Sequence, residues 1–275
     1  MLDIVRSSAS LEHAARVVTL EGVGNVRDLG GIPVYGDRMV KPGMIFRGAA
    51  LAGATSKDRH TLFEELGISC VIDLRCGWEV EAKPNPVHPG VDSLHIPFYD
   101  KEKVGVEYEV GAINGQKVGR DVACDPDDFY RSLANPRTTA QMRECLAQII
   151  ARTSNGLPVY QHCSGGKDRT GVMTLLVLTV LGAGFADILE DYLYTNVFRD
   201  TQFPETYAKF LHIAQGDEEQ ALKLVNDHRA RRENLEVFLE AVSESYGNID
   251  AFVHGQLGVG DALREEFRAA CTCSK

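Results

Sequence analysis

The chain is poor in positive charge, in long apolar runs and in ordered cysteine spacing, and each shortage removes a class of function. Lysine and arginine number 29 against 39 aspartates and glutamates, a net charge of -10. No basic face is therefore expected to hold a nucleic-acid backbone, and an anionic substrate has to be caught by a local site instead of by the field of the whole molecule. The longest apolar run, "VMTLLVLTVLGAG" from Val172, falls short of the roughly 18 residues a membrane-spanning helix requires, so no stable membrane insertion is expected. The opening "MLDIVRSSASLEHAARVV" has no basic start followed by an apolar stretch, and no secretory signal is read there; export without a cleaved signal stays open. Seven cysteines, an odd number without framework spacing, argue for reduced thiols and a cytoplasmic compartment. Cys271 and Cys273 of the terminal "CTCS" are too few to close a zinc site and read as a frayed tail.

The composition suits one globular domain over residues 1–275: 44% of the chain is hydrophobic, and no repeat or low-complexity linker divides it. Glycine-punctuated "GVGNVRDLGG" and "KPGMIFRGAAL" read as turns flanking short strands. "TSKDRHTLFEELG" predicts a helix capped by Thr55 or Ser56 and stopped at Gly67, running into the β-branched buried strand "ISCVIDLR". "SLHIPFYD" (Ser93 to Asp100) predicts a further strand. The polar segment 101–128 shows no core face and is a candidate lid or insert, with disorder as the plain alternative. Helical spacing from Pro136 to Thr153, the buried strand of "NGLPVYQHC", an apolar helix from Val172 and several later helical segments complete the chain. Strands alternating with helices, then helices alone, predict an α/β fold: a central sheet flanked by helices, with a helical C-terminal region.

The chemistry concentrates in "HCSGGKDRTG", between that strand and that helix. Backbone N–H groups in a strand-to-helix turn converge on one point, and the helix behind them adds its positive end, so the point wants an anion. Gly165 and Gly166 let the backbone approach closely. Cys163 sits in the same positive field, which favours its thiolate, the nucleophilic form. Arg169 offers a planar fork for two oxygens of a phosphoryl group.

"HCSGGKDRTG" resembles the signature loop of cysteine-based protein tyrosine phosphatases, in the variant of bacterial and fungal tyrosine/serine and phosphoinositide phosphatases. "NVRDLGG", "FRGAAL", "VIDLR" ahead of Glu79, and "DYLYTN" are similar to that branch too. The resemblance implies a cysteine-phosphatase-like sheet and Cys163 as the nucleophile that forms a cysteinyl-phosphate. It implies Arg169 as the phosphate clamp, Thr170 as hydrogen-bond donor to the thiolate, and His162 as the residue that orders the loop. Ser164, Gly165, Gly166, Lys167, Asp168, Arg169 and Thr170 then form the phosphate-binding segment, and no metal or cofactor takes part. The implied substrates are phosphotyrosine proteins, with serine/threonine phosphoesters or phosphoinositides beside them. A catalytically silent module that only binds phosphorylated ligands is the rival.

The proton donor is not named by the sequence. No Trp-Pro-Asp stands upstream of Cys163; "ACDPDDFYRSL" supplies Asp125, Asp127 and Asp128, for which helix capping is the plainer role. Asp73, at the end of "VIDLR", is the first candidate acid and Asp168 the second. A neighbouring Lys167 would keep Asp168 ionised, and it either adds rim charge for multiply phosphorylated substrates or simply pairs with Asp168. Arg27 and Arg47 are candidates to line the phosphate pocket, but pairing with local carboxylates is the plainer expectation. Cys70 and Cys76 are candidate redox partners of Cys163. The oligomeric state is open.

Overall fold

The computed structural model describes residues 15–98, 111–113, 116–118 and 126–275. The first half carries β1 (Arg27–Asp28), β2 (Arg38–Val40), β3 (Ile45–Gly48), α1 (Ser56–His60), β4 (Cys70–Asp73), α2 (Gly77–Ala82), β5 (Asp92–His95), β6 (Gly111–Ile113) and β7 (Gln116–Val118). The second carries α3 (Pro126–Ser132), α4 (Pro136–Ser154), β8 (Val159–His162), α5 (Asp168–Leu181), α6 (Phe185–Thr201), α7 (Phe203–Ile213), α8 (Glu218–Asp227), α9 (Arg232–Tyr246), α10 (Asp261–Cys271) and β9 (Thr272–Ser274).

The main sheet has the order β1-β3-β8-β4-β5, with β3, β8, β4 and β5 parallel and β1 antiparallel at one edge. Residues alternate between its faces as strand pleating requires. Ile45, Cys70, Ile72 and Val159 join the large core under α4 and α5, while Phe46, Val71 and Tyr160 join a second core with Val26, Leu62 and Phe63. The register aligns Gly48, His162 and Asp73 across β3, β8 and β4, and Asp73 with His95 on β5. The carboxyl ends of four parallel strands therefore form one row, the edge at which open α/β sheets build their sites.

β8 is buried at all four positions and passes through a glycine-bearing loop into α5. α5 is apolar on all sides, as a helix enclosed by protein must be, and ends on Gly182 in the left-handed conformation. The predicted cap of α1 is Thr55, whose hydroxyl accepts from Asp58 N at 3.1 Å while Asp58 accepts from Thr55 N at 2.9 Å.

Three expectations shift in detail. The strand expected from Ser93 to Asp100 is β5 at Asp92–His95. The candidate lid at 101–128 lies outside the described residues apart from the β6–β7 hairpin and the start of α3; Asp125 is outside them too. The terminal "CTCS" is not a frayed tail: β9 pairs antiparallel with β2, aligning Arg38 with Ser274 and Val40 with Thr272, because β2 leaves a strand edge open for it. Arg38 Nε donates to Thr272 Oγ1 at 2.7 Å, and Lys41 N to the Cys271 carbonyl at 2.8 Å. No described helix is long and apolar enough to cross a membrane.

Candidate active site

The loop from Cys163 to Lys167 is held by its carbonyls. His162 Nδ1 lies 2.9 Å from the Cys163 oxygen, and Ala50 N donates to the Ser164 oxygen at 3.1 Å. Asn25 Nδ2 donates to the Gly165 oxygen at 3.0 Å and to the Gly166 oxygen at 3.1 Å. Arg47 Nη2 adds a 2.8 Å bond to the Gly166 oxygen, and Gly171 N bonds the Lys167 oxygen at 2.7 Å. Five successive carbonyls thus have partners, whereas the N–H groups of Ser164 to Asp168 donate to none of the described residues. A run of free N–H groups at the start of a buried helix is an anion cradle. Gly166 is required twice: its φ is +66°, and a Cβ there would stand 2.4 Å from the Gly48 carbonyl.

Cys163 lies at the floor of this cradle, 2% exposed. Arg169, one turn along, is gripped by Glu79 at the start of α2: Nη1 to Oε2 is 2.5 Å and Nη2 to Oε1 is 3.0 Å. Glu79 Oε2 also accepts from Cys76 N at 2.8 Å, and Oε1 from Ser164 Oγ. Burial would raise the Glu79 carboxyl, but Arg169 and these donors hold it down at about 2. The bidentate grip fixes the plane of the Arg169 guanidinium. Thr170 is fully buried, and its hydroxyl makes no hydrogen bond to a described residue, so the bond expected to Cys163 is not formed here.

Behind the loop, Asp191 of α6 gathers three arginines far away in sequence. Arg16 Nη1 and Arg27 Nε each lie 3.0 Å from Oδ1, and Arg47 Nη1 lies 2.7 Å from Oδ2. Burial opposes ionisation of Asp191, but Arg27, Arg47 and Arg16 outweigh it and hold the carboxyl far below its ordinary range. Arg27 continues to Asn25 Oδ1 at 2.7 Å and Thr195 Oγ1 at 3.3 Å. "NVRDLGG", "FRGAAL" and "DYLYTN" therefore converge on one buried network whose outer members, Asn25 and Arg47, hold Gly165 and Gly166. The partner of Arg27 and Arg47 is not a local carboxylate, as expected, but one brought in by the packing of α6.

Asp73 sits beneath His162 in a closed ion pair. Its oxygens accept from Arg75 Nε at 2.9 Å, Arg75 Nη2 at 2.6 Å and Asn85 Nδ2 at 3.1 Å. Burial raises its carboxyl, yet Arg75 carries it below the ordinary value, so it is a carboxylate committed to Arg75 and Asn85. Asn85 Oδ1 accepts from Leu51 N at 3.0 Å, which leaves its amide to donate to His162 Nε2 at 2.8 Å. That assigns the proton of His162 to Nδ1, where it reaches the Cys163 carbonyl; burial lowers the His162 pKa and keeps the ring neutral.

Asp168 is 31% exposed at its side chain and stands at the loop itself. Its Oδ1 accepts from Tyr130 Oη at 2.6 Å and pairs with Lys167 Nζ at 3.0 Å. Burial raises its pKa, but Lys167, Tyr130 and Arg199 together lower it below the ordinary value. Lys167 Nζ is spent on Asp168 and on the His228 carbonyl at 2.9 Å, so the lysine pairs instead of offering a free rim charge. Asp127 and Asp128 lie in the first turn of α3, where carboxylates favour a helix start. Of the two cysteines read as redox partners, Cys70 is packed in the core with its thiol pushed up to about 11 by burial, and Cys76 Sγ lies 3.9 Å from Arg169 Nη1. Asn25, Asn85, Tyr130 and Asp191 are the members that sequence reasoning missed. Only the similar flanking motifs signalled two of them.

A strand-end loop that ends its amides around one cysteine and closes with a clamped arginine defines a cysteine-dependent phosphatase. The model of the tyrosine phosphatase family matches residues 18–272, and the chain belongs to that family. It is a phosphomonoester hydrolase of the protein-tyrosine phosphatase class. Over 280 residues it is 28% identical to the triple specificity protein phosphatase PtpB of Mycobacterium tuberculosis, covering 90% of this chain and 96% of that one. Over 255 residues it is 26% identical to a candidate tyrosine-protein phosphatase of Cupriavidus necator, covering 92% and 88%. Among solved structures, the catalytic core of the PP-IP phosphatase Siw14 from S. cerevisiae overlaps 64% of this chain and 79% of its own, at 11% identity and a TM-score of 0.36. PTPMT1 in complex with PI(5)P overlaps 78% and 98%, at 14% identity and a TM-score of 0.34.

Proposed function

We propose that this phosphatase acts on phosphotyrosine in proteins, and on other phosphomonoesters beside it, through a phosphoryl group carried on Cys163. The observation that carries the assignment is the cradle: N–H groups from Ser164 to Asp168 that donate to none of the described residues, beside the buried Cys163, with Arg169 held in plane by Glu79. The phosphate oxygens sit on those amides and on Arg169, and the Cys163 thiolate attacks phosphorus in line with the ester oxygen. The P–O bond breaks as the S–P bond forms, and the departing oxygen takes a proton from Asp168. Water then attacks phosphorus and gives its proton to Asp168 as the S–P bond breaks and inorganic phosphate leaves.

Asp168 is preferred to Asp73 as the proton carrier because it stands at the loop and is partly open, whereas Asp73 is enclosed by Arg75, Asn85 and His162. The ionised form of Asp168 suits the second step directly. In the first step the negative charge of a bound phosphate raises its proton affinity. Asp73 is a positioning residue, acting through His162 on the loop. Thr170, with its unengaged buried hydroxyl, donates to the cysteine sulfur as it leaves phosphorus.

The depth of Cys163 favours an aryl phosphate, whose phosphorus stands far from the backbone that carries it. A substrate range wider than phosphotyrosine is supported by the likeness to a triple specificity protein phosphatase. The test is phosphate release, without added metal, from a phosphotyrosine peptide, a phosphoserine peptide and a phosphoinositide, comparing the native chain with Cys163→Ser. Turnover by the native chain alone upholds the reading. Binding of all three without turnover by either protein overturns it in favour of a phospho-ligand binder.

A further inference from the structure

The arginines Arg16, Arg27, Arg47, Arg169 and Arg229 are each paired with a carboxylate, and Arg199 is not. Arg16, Arg27 and Arg47 share Asp191, Arg169 has Glu79, and Arg229 has Asp200. Arg199, on the last turn of α6, forms no ion pair and no side-chain hydrogen bond with any described residue, and its Nε is buried without a partner. The residue beside it in sequence, Asp200, is turned to Arg229 instead. Yet Arg199 is not stray on the surface. Its Nη2 lies 3.3 Å from the point that a Cβ on Gly165 would occupy, so the guanidinium rests against the phosphate loop itself. Asp168 feels the charge of Arg199, but no carboxylate among the described residues lies within ion-pair distance of it. A part-buried cation without a close partner is costly, and an anion supplied by a ligand relieves the cost.

The charges around it leave the place open. Lys167 is neutralised by Asp168 and tied to the His228 carbonyl. Asp168 also accepts from Tyr130, so neither member of that pair turns to Arg199 within ion-pair distance. The Arg169 fork, held by Glu79, belongs to the phosphoryl group at Cys163, while Arg199 meets the loop at Gly165. Two forks facing one loop suit two phosphates on one small substrate.

Resting on the phosphatase reading above, we propose that Arg199 is a specificity residue that binds a second phosphate of a multiply phosphorylated substrate while the first lies over Cys163. The ligand chemistry is a small polyol ring bearing phosphates on neighbouring carbons, either free or as a lipid headgroup. Lys167, the residue the sequence points to for this purpose, is held by its own neighbours, and Arg199 takes the role in its place.

The experiment compares the full chain with Arg199→Ala and Arg199→Lys. Each is assayed on an inositol monophosphate and bisphosphate and on the matching short-chain phosphatidylinositol monophosphate and bisphosphate. The expected result is a fall of about tenfold in the bisphosphate-to-monophosphate ratio of kcat/KM for Arg199→Ala, carried by KM, with partial recovery in Arg199→Lys. A fall confined to the lipid pair assigns the second phosphate to a headgroup; a fall in both pairs assigns it to the polyol ring alone. An unchanged ratio, or an equal loss on both members of each pair, overturns the proposal. A calorimetric arm in a Cys163→Ser background measures the affinity of the inositol bisphosphate with and without Arg199→Ala. Arg199-dependent binding there, with no turnover by the native chain, keeps the second-phosphate site and removes the hydrolase reading. Binding that ignores Arg199 removes the site whatever the turnover.

Discussion

Arg47 spans the gap between Asp191 and the phosphate loop: its Nη1 lies 2.7 Å from Asp191 Oδ2 and its Nη2 2.8 Å from the Gly166 carbonyl oxygen. One guanidinium thus transmits the position of α6 to the strand-end loop. Burial lowers the Arg47 pKa to about 10, and Arg27 beside it adds to the effect, while Asp191 opposes it. The arginines crowd together only because Asp191 is ionised among them.

Removing that charge leaves three guanidinium groups without compensation. Asp191→Asn is expected to cost about 3–5 kcal/mol of stability, the usual consequence of breaking a buried ion pair from one side. For a chain of this size that is a fall of about 10 °C in Tm. Scanning calorimetry of the two proteins checks it, and an unchanged Tm would show that the network is not what holds α6 to the loop.

Glu79 makes a pH-dependent contribution whose sign is fixed by its lowered pKa. The carboxyl is at about 2 when folded against 4.5 ordinarily. The folded state therefore gains full benefit above pH 4.5 and loses it as pH falls from there toward 2, a change of about 3 kcal/mol by linkage. Denaturant unfolding of the native chain and Glu79→Gln across that window should show their stability difference shrinking as pH falls. At neutral pH the same variant frees Arg169 to rotate, and a tenfold or greater loss in kcat/KM is expected, on the order of one misplaced charge-assisted hydrogen bond.

Asp168→Asn keeps the shape of the loop and removes the proton carrier. Turnover should fall by about 10²–10⁴, the range of general acid-base catalysis. The loss should be smaller with para-nitrophenyl phosphate, whose leaving group needs little help, than with a phosphoserine peptide. Asp73→Asn should instead lower activity on both substrates alike, together with thermal stability. A leaving-group dependence in Asp73→Asn and none in Asp168→Asn would reverse the two roles.

Gly166→Ala tests the backbone. With φ at +66° and the Gly48 carbonyl in the path of the new methyl, the loop has to shift. A cost of about 1–3 kcal/mol in stability is expected from the strain, along with loss of phosphate binding measured by calorimetry in a Cys163→Ser background. Retained binding would mean that the cradle tolerates a different loop path.

The loop was legible in the sequence because its parts are contiguous: Cys163, Gly165, Gly166 and Arg169 follow one another between an apolar strand and an apolar helix, and a local turn suffices to bring them together. The sheet and the helical second half were legible from hydrophobic spacing for the same reason. What holds the loop was not, since Arg47 meets Asp191 across 144 positions and Arg27 meets it across 164. No spacing rule reaches that far; the pairing is set by α6 packing beside α5. Asn85 is a similar case, an amide in a polar turn whose meaning comes only from the fold bringing Leu51, Asp73 and His162 around it. The terminal strand was missed because an edge partner, β2, was needed to order it.

The most direct test of the account is a rapid acid quench of the native chain during turnover of a phosphotyrosine peptide, followed by mass spectrometry of the peptide that contains Cys163. The account predicts one added phosphoryl group on Cys163, absent from Cys163→Ser and accumulating further in Asp168→Asn as hydrolysis of the intermediate slows. Phosphate release with Cys163 never phosphorylated, or turnover retained in Cys163→Ser, would contradict it.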